Sequence, residues 1–252
     1  MAALCLGLLA VSNAAHAEHV PTVPEGVVEL STHGRLFVKI DELEPFLELE
    51  GRFEDEDFAF RYRALTAGGY YRVHENLKLG AFYRLQSGVR HDDDWILEDS
   101  KWQWRETTDR YEHVLLGDVS PRFLLPFLPG EDWRFMLKSR YRYNFFNDHQ
   151  TLLVRPSLTY FWMKARRPVL TLSARYAWYF SLNYGNTPVY EHAPYLNVLY
   201  HLTPKVILDG SLRYRTVTWS TSKELAPDQS GYTKKYRALA FGLGVIVRLN
   251  PD

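Results

Sequence analysis

The chain has 252 residues, enough for one domain with a substantial interior, and its 30 Lys and Arg residues balance its 30 Asp and Glu residues. Zero net charge gives no reason to expect nucleic acid as a partner. Aromatic residues make up 15% of the chain, yet the mean hydropathy of −0.30 is slightly polar. This combination is typical of a wall that is wet on one side and apolar on the other.

The N-terminal residues resemble a targeting segment. Residues 1–17 contain no Asp, Glu, Lys or Arg, are apolar from Ala2 to Val11, and end in Ala15-His16-Ala17. We interpret 1–17 as a secretory signal peptide, with a short buried helix as the alternative. Cys5 is the only cysteine, so the mature chain would lack the thiols needed for disulfides, Cys-zinc sites or cysteine catalysis. Residues 18–34 are predicted as a flexible periplasmic segment, and 35–252 as one β-barrel domain.

From about Arg35 onward, apolar and polar residues alternate with a period of two. The pattern is clearest from Trp133 to Phe145, where aromatic and aliphatic residues occupy one face and Arg134, Lys138, Arg140 and Arg142 the other. Successive side chains of a strand point to opposite faces, whereas a helix would spread these arginines around its whole surface. The predicted strands are ten, with eight or twelve as alternatives: 43–53, 58–73, 77–90, 108–126, 132–146, 150–163, 168–183, 190–202, 205–220 and 233–249.

The connections between these strands alternate in length. Short ones are predicted at 74–76, 127–131, 164–167 and 203–204, and longer or more polar ones at 54–57, 90–106, 185–192 and 221–232, with a tight exception at 147–149. Bacterial outer-membrane barrels have short periplasmic turns and longer external loops. The fold class predicted is therefore all-β, an antiparallel transmembrane β-barrel.

The size of the apolar side chains decides between a membrane barrel and a soluble one. Trp, Tyr, Phe and Leu occur on nearly every predicted strand, and they could not all pack within a ten-stranded lumen. Facing outward they would contact lipid, with aromatic residues near the strand ends forming an interfacial girdle. The expected location is the bacterial outer membrane. A secreted lipocalin-like or sandwich fold is the alternative.

If the apolar face is outward, the lumen is rich in arginine. Arginine suits bidentate contact with carboxylates and phosphates, so a ladder of guanidinium groups would favour anions. The alternative is an interior packed with Arg-Glu networks that passes little. The candidate substrate-binding residues are Arg61, Arg63, Arg84, Arg134, Lys138, Arg140, Arg142, Arg155, Arg175, Arg213 and Arg215.

Two short Arg-Tyr alternations carry a resemblance to known proteins. In Arg140-Tyr141-Arg142-Tyr143 and Arg213-Tyr214-Arg215, the chain resembles small oligosaccharide-specific porins of the outer membrane, such as the oligogalacturonate channels. The resemblance implies an arginine-lined lumen for acidic sugars.

The remaining motifs give little sign of an enzyme. His91-Asp92-Asp93-Asp94, with Glu98 and Asp99, could support a hydrolytic water or bind calcium, but the run lacks the spacing of a calcium loop, and a solvated acidic loop is the commoner explanation. No histidine spacing indicates a metal, and no glycine-rich phosphate loop or G-x-S-x-G motif occurs. We therefore expect a non-enzyme without a cofactor.

The sequence thus predicts a barrel that admits or binds small anions, with acidic oligosaccharides as candidate solutes. The expected partners are outer-membrane lipids, these anionic solutes and the outer-membrane assembly machinery, and no nucleic acid. The alternatives are a closed structural or adhesive barrel and a barrel hydrolase.

Overall fold

The computed structural model describes residues 26–54, 59–88, 110–128, 132–184, 188–220 and 233–250. Within these ranges the chain forms eleven strands: β1 (Val27–Val38), β2 (Leu43–Glu54), β3 (Ala59–His74), β4 (Leu77–Gly88), β5 (Glu112–Leu124), β6 (Trp133–Asn144), β7 (Gln150–Lys164), β8 (Arg167–Ser181), β9 (Val189–His201), β10 (Val206–Ser220) and β11 (Thr233–Leu249). None of the described residues belongs to a helix that is long and apolar enough to cross a membrane.

The strands close into a single barrel. Each strand pairs antiparallel with the next along the chain, and β1 pairs in parallel with β11, from Val27 opposite Ala238 to Val38 opposite Leu249. The parallel pair follows from the odd number of strands, because the first and last strands of an odd up-and-down series run in the same direction. The all-β barrel predicted from the sequence is confirmed, but the described residues contain eleven strands, not ten.

The additional strand is β1, which includes part of the segment 18–34 that was predicted from the sequence to be a flexible periplasmic segment. Glu29, His33 and Arg35 belong to its inward face, and two of its outward positions are Thr32 and Gly34. These residues interrupt the apolar alternation, so the strand has no clear period-two signature. The barrel wall therefore begins at Val27. The predicted signal peptide 1–17 lies outside the described residues.

The other ten strands match the predicted ones closely, and their connections fall into two groups. One end of the barrel, here called the turn end, has connections 39–42, 75–76, 125–132, 165–166 and 202–205. The opposite loop end has connections 55–58, 89–111, 145–149, 182–188 and 221–232. At the turn end, Ala165 and Arg166 both have positive φ, as a two-residue type I′ turn requires. The two longest connections, 89–111 and 221–232, are both at the loop end, as predicted, but 125–132 at the turn end is longer than 55–58 and 145–149 at the loop end, so a strict alternation of length is not observed.

The wall is apolar outside and polar inside. Large side chains such as Trp162, Leu196 and Leu243 are about 60% exposed on the outer face. Charged side chains such as Asp118, Arg142 and Arg215 are buried on the inner face. The period-two alternation of each strand therefore separates the charged residues in the lumen from the large apolar residues on the outer surface.

Candidate functional site

A cavity of about 550 Å³ lies inside the barrel and is lined by inward side chains of the strands. Twelve of the described lining residues are cations: Arg35, Arg52, Lys78, Arg84, Arg122, Lys138, Arg140, Arg142, Arg155, Arg175, Arg213 and Arg248. Four are carboxylates: Glu44, Glu48, Glu50 and Asp209. The cations are not equivalent, because their distance from a carboxylate differs around the wall.

On the β2–β4 side, cations of β4 are paired with carboxylates of β2, across the intervening strand β3. Arg84 Nη2 lies 2.5 Å from Glu50 Oε2, and Lys78 pairs with Glu44. Arg35 on β1 donates to Glu48. A charge held against a partner in this way is compensated, so it has less capacity to bind a solute.

The same pairing continues on β5 and β6 around Asp118. The Asp118 carboxylate receives Arg140 Nε at 2.6 Å and Lys138 Nζ at 2.5 Å. Tyr70 on β3 also donates its hydroxyl to Asp118, at 3.3 Å. We call these matched residues of β1–β6 the paired wall.

A second ion-pair network lies nearer the loop end and is almost fully buried. Arg215 donates to Glu29 Oε1 at 2.8 Å and to Glu191 Oε1 at 3.0 Å. Tyr236 also donates to Glu29, at 2.8 Å. Because Glu29 and Arg215 are at most 3% exposed, this network holds β1, β9, β10 and β11 together and is not open to a solute.

The opposite side of the cavity, here called the arginine wall, consists of Arg155 on β7, Arg175 on β8 and Arg213 on β10, with Tyr195 and Asn197 on β9. Strands β7 and β8 contain no acidic residue. Neither Arg155 nor Arg175 forms an ion pair with any described residue. Arg213 lies 3.9 Å from Glu29, a distance at the outer limit of a salt bridge.

Neutral groups hold these arginines in place. Arg175 donates to Asn197 Oδ1 at 2.7 Å and to the Tyr195 hydroxyl at 3.4 Å. The guanidinium carbons of Arg155 and Arg175 lie 5.7 and 5.3 Å from the centre of the Tyr195 ring, within cation–π range. The ring positions both cations without neutralising either of them.

The arginine wall also has hydrogen-bond donors to spare. The Nε atoms of Arg155 and Arg175 are buried and have no hydrogen-bond partner among the described residues. A buried donor without a partner costs about 1–3 kcal/mol, and more when it is charged. A carboxylate or phosphate is the type of group that satisfies guanidinium donors in pairs.

Asp209 joins the two walls. It accepts from Arg35 at 3.0 Å and from Asn197 at 2.5 Å, and it lies 2.9 Å from His33 Nε2. Asn197 in turn holds Arg175. Gly244 makes the His33 position possible, since a Cβ there would collide with the imidazole ring.

An aromatic cluster fills the interior of β7–β10 near the loop end. The rings of Tyr190 and Trp219 stack at 4.2 Å, and His149 lies 5.6 Å from Trp219. His149 also contacts Ser181 Oγ at 3.1 Å. These three rings are at most 2% exposed, so this part of the lumen is closed by packed side chains.

Seven of the eleven predicted site residues line the cavity: Arg84, Lys138, Arg140, Arg142, Arg155, Arg175 and Arg213. Arg215 faces inward, but it forms ion pairs with Glu29 and Glu191 in the buried network and is not available to a solute. Arg134 shares the inward face of β6, and its guanidinium stacks on Phe161, 5.1 Å from the ring centre, outside the cavity lining.

The predicted inward orientation of Arg63 is wrong, and Arg61 does not line the cavity. Tyr62 is 1% exposed and donates inward to Gln86, so its neighbour Arg63 points out of the barrel. Arg61 is the extra residue of a β-bulge, because Phe53 pairs with Phe60 while Arg52 pairs with Tyr62. A bulge shifts the alternation by one residue, which is why a strict period of two assigned Arg63 to the wrong face.

Sequence reasoning missed the uncharged part of the site. Tyr195 and Asn197 lie two residues apart on the inward face of β9, so period-two alternation places them on one face, but the pattern of charged residues gives no sign of them. Arg35 and His33 were missed because β1 was missed.

Among the described residues, no group of three or more His, Cys, Asp or Glu side chains could hold a metal. The acidic run His91 to Asp94, considered for hydrolysis or calcium, lies outside the described residues.

Comparison with known proteins finds a remote similarity to solved structures. No protein-family model matches the chain, and no curated protein matches it. Among solved structures, the chain is similar to NanC porin, with a TM-score of 0.46 and 9% identity over 88% of this chain and 99% of that chain.

Proposed function

We propose that the chain is an outer-membrane barrel whose lumen binds or conducts small anionic solutes, with acidic oligosaccharides as the candidate class. The observation that carries the proposal is the arginine wall, where Arg155 and Arg175 face a cavity without an acidic partner among the described residues. The excess of lining cations over lining carboxylates acts in the same direction, because it favours entry of anions over cations.

The membrane location is supported by the outer face of the wall. Large apolar side chains stand exposed all around the barrel, including Leu47, Leu115, Leu172 and Leu212. Strands of 12 to 17 residues are longer than the roughly 9–11 residues that a tilted strand needs to cross a bilayer. The charged lumen is proposed to bind or conduct solutes without catalysing a reaction.

The test is ion selectivity in planar bilayers, measured as the reversal potential across a KCl gradient. The wild-type protein should prefer chloride. The double variant Arg155→Ala, Arg175→Ala should lose most of that preference, because it removes two unpaired cations and leaves no carboxylate without its partner. The double variant Arg155→Lys, Arg175→Lys should keep it. Arg237→Ala, which removes an exposed cation from the outer face, should have no effect.

The same bilayer recordings also test which class of solute the lumen prefers. A short oligogalacturonate should block the current at lower concentration than an uncharged oligosaccharide of equal length, and the alanine double variant should abolish the difference. Selectivity that is unchanged by that variant would overturn the proposed role of the arginine wall.

A closed structural barrel is the second candidate, and the packed loop-end cluster of His149, Tyr190 and Trp219 favours it. The same bilayer experiment separates the two: a protein that inserts without any conductance and binds no oligogalacturonate supports the closed barrel.

A further inference from the structure

A second concave surface lies on the outside of the barrel and is almost entirely apolar. It spans six neighbouring strands, from β9 through β10, β11, β1 and β2 to β3, and encloses about 580 Å³. We call it the outer groove. The proposed anion site in the lumen does not include this groove.

Glycines on the outer face create this groove. One row of paired residues runs Val198, Gly210, Leu243, Thr32, Gly51, Arg63 across the six strands. The adjacent row runs Tyr200, Leu208, Val245, Gly34, Leu49. Gly34 and Gly210 have open space where a side chain would stand, so their larger neighbours form rims on either side. Gly51 lets the Phe60 ring lie against the backbone, and that ring is part of the groove lining.

The groove crosses the wall obliquely. On β9 it lies at Val198, three residues from the turn end at His201, whereas on β3 it lies at Arg63, eleven residues from the turn end at His74. Five steps between strands of about 4.8 Å give a length of about 24 Å. With strands tilted by about 40°, that length corresponds to a height of about 15 Å along the barrel axis, roughly half of a bilayer's hydrocarbon core.

Arg63 is the only Lys or Arg among the described lining residues, and it lies on the strand where the groove comes closest to the loop end. The lining carboxylates Glu50 and Asp209 belong to the inward face of the wall, where they pair with Arg84 and Arg35. Arg63 itself points outward, and its guanidinium carbon lies 5.3 Å from the centre of the Tyr111 ring. Stacking on a ring face leaves the edge of a guanidinium group available to donate hydrogen bonds in its own plane. An exposed aromatic beside a cation is also typical of the membrane interface.

We propose that the outer groove binds one phospholipid of the surrounding bilayer, with an acyl chain along the glycine-lined row and the phosphate on Arg63. The groove has the length and apolar lining for one chain within one leaflet, and Arg63, the one Lys or Arg among its described residues, stands where that leaflet's headgroups would lie. This inference rests on the membrane location in the proposed function, not on the role of the lumen.

The test is native mass spectrometry of the full chain released from detergent micelles and titrated with dioleoyl phosphatidylglycerol. One lipid should be retained preferentially. Arg63→Ala should weaken its retention by about tenfold, as expected for loss of a charge-assisted contact. Gly210→Leu should do the same by filling the groove, since an added Cβ there has only the Val198 carbonyl oxygen within 4 Å, at 3.8 Å. Dioleoylglycerol, which lacks phosphate, should bind as weakly to wild type as phosphatidylglycerol binds to Arg63→Ala.

Two matched controls separate the groove from the rest of the outer wall. Gly117→Leu adds a leucine to the outer face of β5, where a Cβ also meets open space, and Arg237→Ala removes an outward cation outside the groove. Both should retain the lipid as wild type does. Equal retention in wild type, Arg63→Ala and Gly210→Leu would overturn the inference.

Liposome flotation of the wild-type chain keeps the two proposals apart. Failure to insert into liposomes would overturn the membrane location and this inference together. Insertion with lipid retention that is insensitive to the groove variants would overturn this inference alone.

Discussion

Glu29 is a fully buried carboxylate that receives hydrogen bonds from Arg215 and Tyr236, both at 2.8 Å. Replacing it by glutamine keeps the shape but removes one of the two carboxylates that pair with the buried Arg215 guanidinium among the described residues. Removing one partner of a buried ion pair costs about 3–5 kcal/mol. We expect Glu29→Gln to lower the free energy of unfolding by that amount, measured by urea titration of tryptophan fluorescence in detergent micelles.

Glu42→Gln is the control for this measurement. Glu42 is an exposed residue of the turn between β1 and β2, where a carboxylate is solvated by water. It should change the unfolding free energy by less than about 0.5 kcal/mol, as surface substitutions usually do. If the two variants were equally stable, the Glu29 network would not hold the strands together.

Sequence parity predicted the orientation of most charged residues but could not tell their roles apart. Arg175 and Arg215 both occupy inward positions on their strands. Arg175 faces the cavity, whereas Arg215 forms buried ion pairs with Glu29 and Glu191. Glu29 precedes Arg215 by 186 residues. Alternation within one strand carries no information about such a partner, because the contact depends on how the barrel closes.

Strand β1 makes that closure, so its register against β11 is the element on which the eleven-strand barrel depends. Leu30 lies opposite Phe241, and both point outward. Paired residues of neighbouring strands are about 4.8 Å apart, within the range that a disulfide spans. In a Cys5→Ser background, we expect Leu30→Cys with Phe241→Cys to form a disulfide on mild oxidation, read as a faster-migrating unfolded band in non-reducing gels.

The matched comparison is Leu30→Cys with Leu243→Cys, which places the second cysteine two residues along β11 on the same face. The separation then rises to about 8 Å, beyond disulfide reach. Preferential cross-linking of this pair, or none with Phe241→Cys, would contradict the parallel closure by β1.

The elements that sequence reasoning placed correctly are those with regular alternation. Strand β6 separates its aromatic residues from its cations at nearly every position, so its bounds were predicted to within a few residues. Strand β1 carries Glu29, His33 and Arg35 inward and Gly34 outward, a composition that also suits a loop. Its strand structure comes from pairing with β2 and β11 on both sides, which is a property of the closed barrel and not of the segment.

The apolar outer face and charged lumen of the barrel predict how a new charge on the outside changes the stability of the protein. Leu212 lies outward near the middle of β10, opposite Leu196 and Phe241, whereas Leu202 lies outward in the connection at the turn end. In a bilayer, an arginine at the midplane costs about 2–4 kcal/mol and one near the interface about 0–1 kcal/mol. Leu212→Arg should therefore destabilise the protein far more than Leu202→Arg, measured by urea unfolding in phospholipid vesicles.

The two sites are matched for exposure, at 41% for Leu212 and 52% for Leu202, so burial against protein cannot produce the difference. In water both substitutions would replace an exposed leucine by a solvated cation and cost little. Only a hydrocarbon environment would make the two substitutions differ in their effect on stability, because the cost of desolvating the guanidinium group depends on its depth in the bilayer. Equal effects of the two variants in vesicles would show that the outer face does not contact the bilayer core, and the membrane location would have to be abandoned.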